Sequence, residues 1–389
     1  MTERTPDVWT IALAVALFLC AWALLHVGFY ERGQIVDTPI YERYGEAMRD
    51  GDVPYRDFDV EYPPLALPVF LLPALPRGDY RKWFETTMAL CGCAIVAAVG
   101  LAARRLHLGM ATLAFVALAP LAAGSVVLSR FDLWPALLTA LALAALLHDR
   151  LRLGHVLLGA AVAAKLYPAV LVPLAVARAW RRDGPAEAAR CAALLVAVVA
   201  VAYLPFALVA PGGVAHSIGT QLSRPLQIES LGAGLLLVGH HVFGFGLEMQ
   251  SSHGSQNLAG TGANVLAVLL SVAQLATLAF IWVRFATRER PLALDAAAAL
   301  VAFVALGKVL SPQFLIWLIP IVPLARRMWG TFLLTLALVL TQLWFPYRYW
   351  ELVREFGTLP SWLVLARDLA LVALLVVLLT APGREPSRT

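Results

Sequence analysis

Asp37 stands at the outer end of the first apolar run and opens the most polar stretch of a chain that carries few charges. Residues 33–64, GQIVDTPIYERYGEAMRDGDVPYRDFDVEYPP, bring Asp37, Asp50, Asp52, Asp57, Asp59 and Glu61 together with Tyr41, Tyr44, Tyr55 and Tyr62, and Tyr30 lies just before them. A carboxylate in such a stretch can take the proton of an attacking hydroxyl. Three cations, Arg130, Lys165 and Lys308, interrupt apolar runs, where a charge costs about 2.5 to 3.5 kcal/mol on insertion scales. With Arg224 they are expected on the same side as Asp37, where a phosphate near the outer leaflet would use them. Cations so placed stabilise the charge on a departing phosphate. The base and the cationic pocket together are what transfer of a group from a lipid-linked phosphate needs. Tyr44, Tyr55, Tyr62, Asp57, Asp59, Glu61, Gln227, Glu229 and Gln313 are the polar residues expected to bind the acceptor or the transferred sugar. The bland alternatives are a solvated loop for residues 33–64 and, for the cations, snorkelling or internal pairing such as Arg130 with Asp132.

Composition fixes what must position these residues. The chain is 60% hydrophobic and 14% charged, against about 25% charged in ordinary soluble domains. Apolar runs of about 17 to 25 residues recur along it, each long enough for a hydrocarbon core of about 30 Å. The expectation is an all-α, polytopic integral membrane protein with about 12 membrane segments, about eight of them full spans. It reads as a single domain over residues 1–389, with outer loops at 33–64 and 210–261. The first run reads as a retained span, since no cleavage site precedes it. The net charge of +5 lies in short loops beside the spans and forms no stripe, which excludes nucleic acid and sets orientation, both termini cytoplasmic. Cys20, Cys91, Cys93 and Cys191 lie in apolar runs and imply neither disulfide nor metal. Asp57, Asp59 and Glu61 could hold a divalent cation, but alternating acids in an outer loop are common, so no metal and no cofactor are expected. His240 and His241 read as polar loop residues.

The Asp37-Thr38-Pro39 start signal, followed by Ile40, Tyr44, Ala47 and Met48 at helical spacing, predicts a short amphipathic helix at the membrane surface with Asp37 just before it. Residues 65–75 are too short to cross and carry Pro68 and Pro73, so they are expected to dip into the outer leaflet and return, with a surface turn at residues 77–82. Two longer runs are anomalous. Residues 154–177 are apolar but flanked by basic clusters on both sides, HDRLR before and RAWRRD after. A single crossing would leave one cluster outside, so the run predicts a hairpin of two halves of about 16 Å each, with Lys165 near its apex. Residues 292–324 repeat the pattern with Lys308, Ser311, Pro312 and Gln313 in the middle, and their longer halves could reach the outer surface. Irregular backbone at that depth is tolerated where it is buried or lines a wet cavity. The two hairpins also suit a secondary transporter built on a weak internal repeat, although transporters keep their acids near the midplane.

The order of features, an external Asp37 after the first span, VPYRDFDVEYPPLA, LSRFDLWPALL, AAKLYP, SRPLQIESL and GKVLSPQFLIWL, resembles glycosyltransferase family 87 over nearly the whole chain. The resemblance implies a GT-C fold and the activity of polyprenyl-phosphate-mannose-dependent mannosyltransferases: inverting transfer of a sugar, mannose first, to a glycolipid or envelope glycan outside the cytoplasmic membrane. By position, it implies Asp37 as the catalytic base. Asp37 is followed by Thr38 and Pro39 and not by a second acid, so the sequence departs here from a two-acid motif.

Overall fold

The computed structural model describes residues 5–30, 35–76 and 78–383. Residues 33 and 34 of the first outer loop, Arg77 of the surface turn, the first four residues and the basic tail from 384 lie outside them. Helices dominate, because a backbone within lipid must satisfy its own hydrogen bonds. Among the described residues, four helical runs are long and apolar enough to cross a membrane: Tyr80–Leu106, Tyr167–Val209, which is interrupted at Gly184, Thr261–Thr287 and Thr358–Thr380. A fifth crossing forms if Met328–Trp344 and Tyr349–Glu355, bent by 70°, count together. Fewer helices are long enough than the sequence suggested, because the other apolar helices stop at 10–17 residues. Met110–Ala123 ends at Gly124 with φ 72°, and Leu151–Ala164 ends where Lys165 turns extended.

The chain folds as two compact units. One comprises residues 5–30, Ile35–Leu121 and Ser125–Leu222. At its centre runs Leu133–Leu147, buried on almost every side. The expected surface helix is Thr38–Asp50, ended by Gly51 in the left-handed conformation. Its buried face is Thr38, Tyr41, Tyr44 and Gly45, whereas Ile40 is exposed, a shift of one position from the expected face. A side chain at Gly45 would meet the Phe70 carbonyl at 2.3 Å, so glycine lets this helix lie against the Pro64–Ala74 segment. That segment is one short helix of mixed hydrogen bonding, with its prolines in first turns, where the missing N–H is harmless.

The first hairpin is present. Leu151–Ala164 stops at Lys165, and a 3-10 turn over Tyr167–Leu171, carrying Pro168, starts the return. The two basic flanks meet at the opposite end, where Arg152 grips Glu187 through two hydrogen bonds of 2.6 and 2.8 Å and Arg178 reaches Asp149 at 2.6 Å. Arg182 also contacts Asp149. At Gly184 (φ 85°, ψ 177°) the chain reverses again. The outgoing half then packs on Leu151–Ala164, with Gly159 so close that a Cβ would sit 2.8 Å from the Leu195 carbonyl.

The other unit comprises residues 122–124 and 223–383. Its centre is Leu292–Ala305, an alanine-rich helix buried on nearly every side. Such small residues let neighbouring helices approach closely. The buried Asp295 at its start binds Arg284 at 2.7 Å and Arg290 at 2.9 Å. The second hairpin follows: after the apex around Lys308 the chain returns through Phe314–Leu318 and Val322–Ala325. Its flanks meet one turn of backbone, Arg290 donating to the Ala381 carbonyl and Arg327 to the Pro382 carbonyl. The long connection 210–261 holds a feature not expected from sequence. Glu248–Ser252 and Ser255–Ala259 form a β-hairpin, and Leu226–Gln227 joins it as an edge strand. His253 and Gly254 make its turn, both at positive φ, as the favoured two-residue hairpin turn requires.

Candidate functional site

Asp37 precedes its helix in the N-cap position, yet its side chain makes no cap hydrogen bond. The carboxylate turns instead to the guanidinium of Arg130, and the two side chains are 25% and 7% exposed. Tyr41, one helical turn on, donates a long hydrogen bond of 3.5 Å to Asp37 Oδ2. Arg130 is an extended residue between the short helix Val126–Ser129 and Leu133–Leu147, and its Nη2 also reaches the Ile35 carbonyl at 3.4 Å.

Two residues on, Asp132 heads Leu133–Leu147, and it too makes no cap. Its buried carboxylate takes the Lys165 ammonium at 2.6 Å. Lys165 Nζ lies 4.7 Å from the centre of the Phe131 ring and 6.0 Å from that of Tyr62. Beneath these charges Tyr41 stacks on Phe70 at 4.6 Å, and Tyr62 meets Phe131 edge-on at 4.8 Å. Trp134 donates to the Leu65 carbonyl at 2.9 Å and ties this motif to the Pro64–Ala74 segment.

Asp37, Arg130 and Lys165, singled out separately in the sequence, are thus one site, and Asp132 completes it. The internal pairing weighed as the bland alternative for these cations is present, with partners other than the example of Arg130 with Asp132. Residue 130 is extended and 132 helical, and Arg130 meets Asp37 while Asp132 meets Lys165.

The remaining candidates of this unit are placed differently. Tyr44 and Tyr55 are buried; Tyr44 packs against Phe58 and Phe70, and the Tyr55 hydroxyl donates to the Tyr62 carbonyl at 2.5 Å. Asp57 closes a turn: Arg56 hydrogen-bonds its carboxylate and the Val53 N–H donates to it at 2.7 Å. The Arg56 contact first, then the Val53 amide, holds its pKa down to about 2. Asp59 is exposed, and Glu61 accepts from Gln221 Nε2 at 3.2 Å. Among the described residues, no three His, Cys, Asp or Glu side chains come together as a metal-ligand set.

In the second unit, Lys308 sits at its apex and its carbonyl accepts from the Gln227 N–H at 3.0 Å. The Gln227 side chain donates to Glu229 Oε2 at 2.5 Å and to Ser311 Oγ at 2.7 Å. Glu229 and Gln227 are both buried, and the Glu229 carbonyl accepts from Arg367 at 2.6 Å. Arg367 in turn lies 2.6 Å from Asp368, both fully buried within Thr358–Thr380. Gln313 heads Phe314–Leu318. Arg224 donates to the His253 carbonyl in the β-hairpin turn, at 3.1 Å. His240 and His241, read from the sequence as loop residues, lie instead in the last turn of the Leu231–Phe243 helix, with His240 Nδ1 2.5 Å from the Phe245 carbonyl and His241 Nε2 3.3 Å from Ser361 Oγ.

The model of glycosyltransferase family 87 matches residues 61–312. Arg130, Asp132, Lys165, Arg224, Gln227, Glu229 and Lys308 fall within the match, and Asp37 precedes it. No curated protein sequence matches the chain. Among solved structures, the crystal structure of ArnT from Cupriavidus metallidurans in the apo state aligns over 95% of this chain and 76% of its own, with a TM-score of 0.50 and 17% identity. At that identity the likeness is one of fold, and it agrees with the helical GT-C membrane fold expected from the sequence.

Proposed function

The chain belongs to glycosyltransferase family 87, and from that premise we propose that it transfers a sugar, mannose first, from a polyprenyl phosphate to a glycolipid or envelope glycan, with inversion. The proposed setting is the outer face of the cytoplasmic membrane, with both termini inside and no cofactor. The acceptor hydroxyl attacks the anomeric carbon, its proton passes to the Asp37 carboxylate, and the bond from that carbon to the phosphate oxygen breaks. The electron pair leaves with the polyprenyl phosphate, whose charge Arg130 and Lys165 stabilise. What supports this reading is one observation above the others: Asp37 heads a helix without capping it, and its carboxylate meets the buried guanidinium of Arg130, two residues before the Asp132 that holds Lys165. The phosphate role of Lys308 and Arg224, and the binding of acceptor or sugar by Tyr62, Asp59, Glu61, Gln227, Glu229 and Gln313, belong to the same proposal. The transporter alternative rested on the two lysine hairpins, and membership of a glycosyltransferase family speaks against it.

The decisive experiment is turnover of a polyprenyl-phosphate sugar by purified Asp37→Asn. The amide keeps the shape but cannot take the proton, so the rate should fall by about 10² to 10⁴ with the protein folded. Near-normal turnover, with Glu61→Gln inactive instead, would move the base to the second acidic cluster.

A further inference from the structure

In the Asp37 site each cation faces a carboxylate, Arg130 that of Asp37 and Lys165 that of Asp132. An anion entering this site therefore meets cations that carboxylates already hold. Asp132 is engaged by Lys165 at 2.6 Å on its own side of the site. Arg130 is buried, its backbone is fixed between two helical segments, and the carboxylate against its guanidinium is that of Asp37. Asp37 in turn has given up the helix amides it could have capped. Its lone pairs point at a guanidinium, an arrangement poorly suited to accepting a proton from an incoming hydroxyl.

We propose that Arg130 serves two anions in turn, Asp37 in the empty enzyme and the donor phosphate in the loaded one, so that donor binding releases the base. The planar guanidinium fork fits carboxylate and phosphate oxygens alike, which lets one side chain exchange between them. The consequence is a compulsory order: the acceptor hydroxyl is deprotonated only after the donor is seated. By linkage, the phosphate loosens the Asp37–Arg130 pair by the same factor by which that pair weakens phosphate binding. The inference rests on the proposed base role of Asp37 and on a phosphate-linked donor.

The test is the affinity of the purified full chain for polyprenyl monophosphate without sugar, measured for wild type, Asp37→Asn, Arg130→Gln and the double variant. In Asp37→Asn the guanidinium no longer has to leave a carboxylate, so this inactive enzyme should bind the probe roughly tenfold more tightly than wild type. Removing a negative charge would by itself favour an anion, and the Arg130→Gln background separates the two causes. There, adding Asp37→Asn should bring no further gain. Arg130→Lys, which keeps charge but loses the fork, serves if the glutamine variant does not fold, and should show a gain smaller than the wild-type background does. Unchanged or weaker binding by Asp37→Asn, or an equal gain in the Arg130 variants, overturns the exchange while leaving the base role standing. Normal turnover by Asp37→Asn overturns the base role itself. Failure of wild type to bind the probe overturns the phosphate donor.

Discussion

Replacing Lys165 by methionine separates what the first hairpin's apex does for folding from what it does for the donor. The ammonium lies 2.6 Å from Asp132 Oδ1, with side chains 16% and 1% exposed. Removing one partner of a buried pair costs about 3 to 5 kcal/mol, because the other charge stays in a poor dielectric. Lys165 keeps some contact with solvent, so the expected loss is nearer about 2 to 3 kcal/mol. Methionine preserves the stem over Phe131, so packing contributes little to that figure. Adding Asp132→Asn removes the stranded charge, and the double variant should regain most of the stability. Its affinity for polyprenyl monophosphate should not recover. One charge-assisted hydrogen bond is worth about 1.5 to 3 kcal/mol, so both variants should bind the probe roughly tenfold to a hundredfold more weakly. Thermal unfolding in detergent and probe titration on the same three preparations read the two effects independently. Equal destabilisation of single and double variants would mean that the cost is not a stranded charge. A stable double variant with wild-type phosphate affinity would remove Lys165 from the donor site.

Cysteines introduced at the exposed Arg150 and Arg181, on the two flanks of the first hairpin, should be labelled by an impermeant maleimide from the same side of the membrane; labelling from opposite sides would contradict a hairpin. Gly213→Ala should lower stability by about 1 to 3 kcal/mol, since its Cβ would lie 1.9 Å from the Tyr55 carbonyl; an unshifted unfolding temperature would mean that the loop yields freely there. Asp57, whose pKa is lowered from 3.8 to about 2, contributes stability to the 53–58 turn that is present above the unfolded value and lost as pH falls through the folded one. Pepsin cleavage in that turn should therefore rise between about pH 4 and pH 2 in wild type, and Asp57→Asn should be cut readily at both ends of the range. A variant as resistant as wild type would show that the carboxylate does not hold the turn.

The helical membrane class, the surface helix behind Asp37 and both lysine hairpins were legible because each follows from a local rule. Capping residues announce a helix start, and basic flanks of equal sign forbid a single crossing. What was not legible is register and partner. Ile40 was expected inside where Tyr41 is, because the periodicity of a short helix tolerates a rotation of one residue, and only the Tyr41 stack on Phe70 decides it. The β-hairpin at Glu248–Ser252 and Ser255–Ala259 escaped because its strands are mostly polar, with Met249 and Leu258 too few to show an apolar alternation. Its one signal was the His253-Gly254 pair at the turn. Asp132 escaped as a site residue for a related reason. Charges two apart in a sequence look like partners, but whether they face each other depends on the backbone between them. Here, with Arg130 extended and Asp132 helical, the guanidinium meets Asp37 and the carboxylate meets the lysine at the hairpin apex. The same backbone switch assembles the site, since it lets one three-residue link between helices hold both Asp37 and the apex lysine. A test follows from that geometry: Phe131→Gly should free the link, separate the two ion pairs and cost more activity than stability beyond the lost aromatic packing of about 3 to 5 kcal/mol. Phe131→Leu should keep most of both. If the glycine variant lost stability alone and turned over normally once folded, the link would not be what aligns the site.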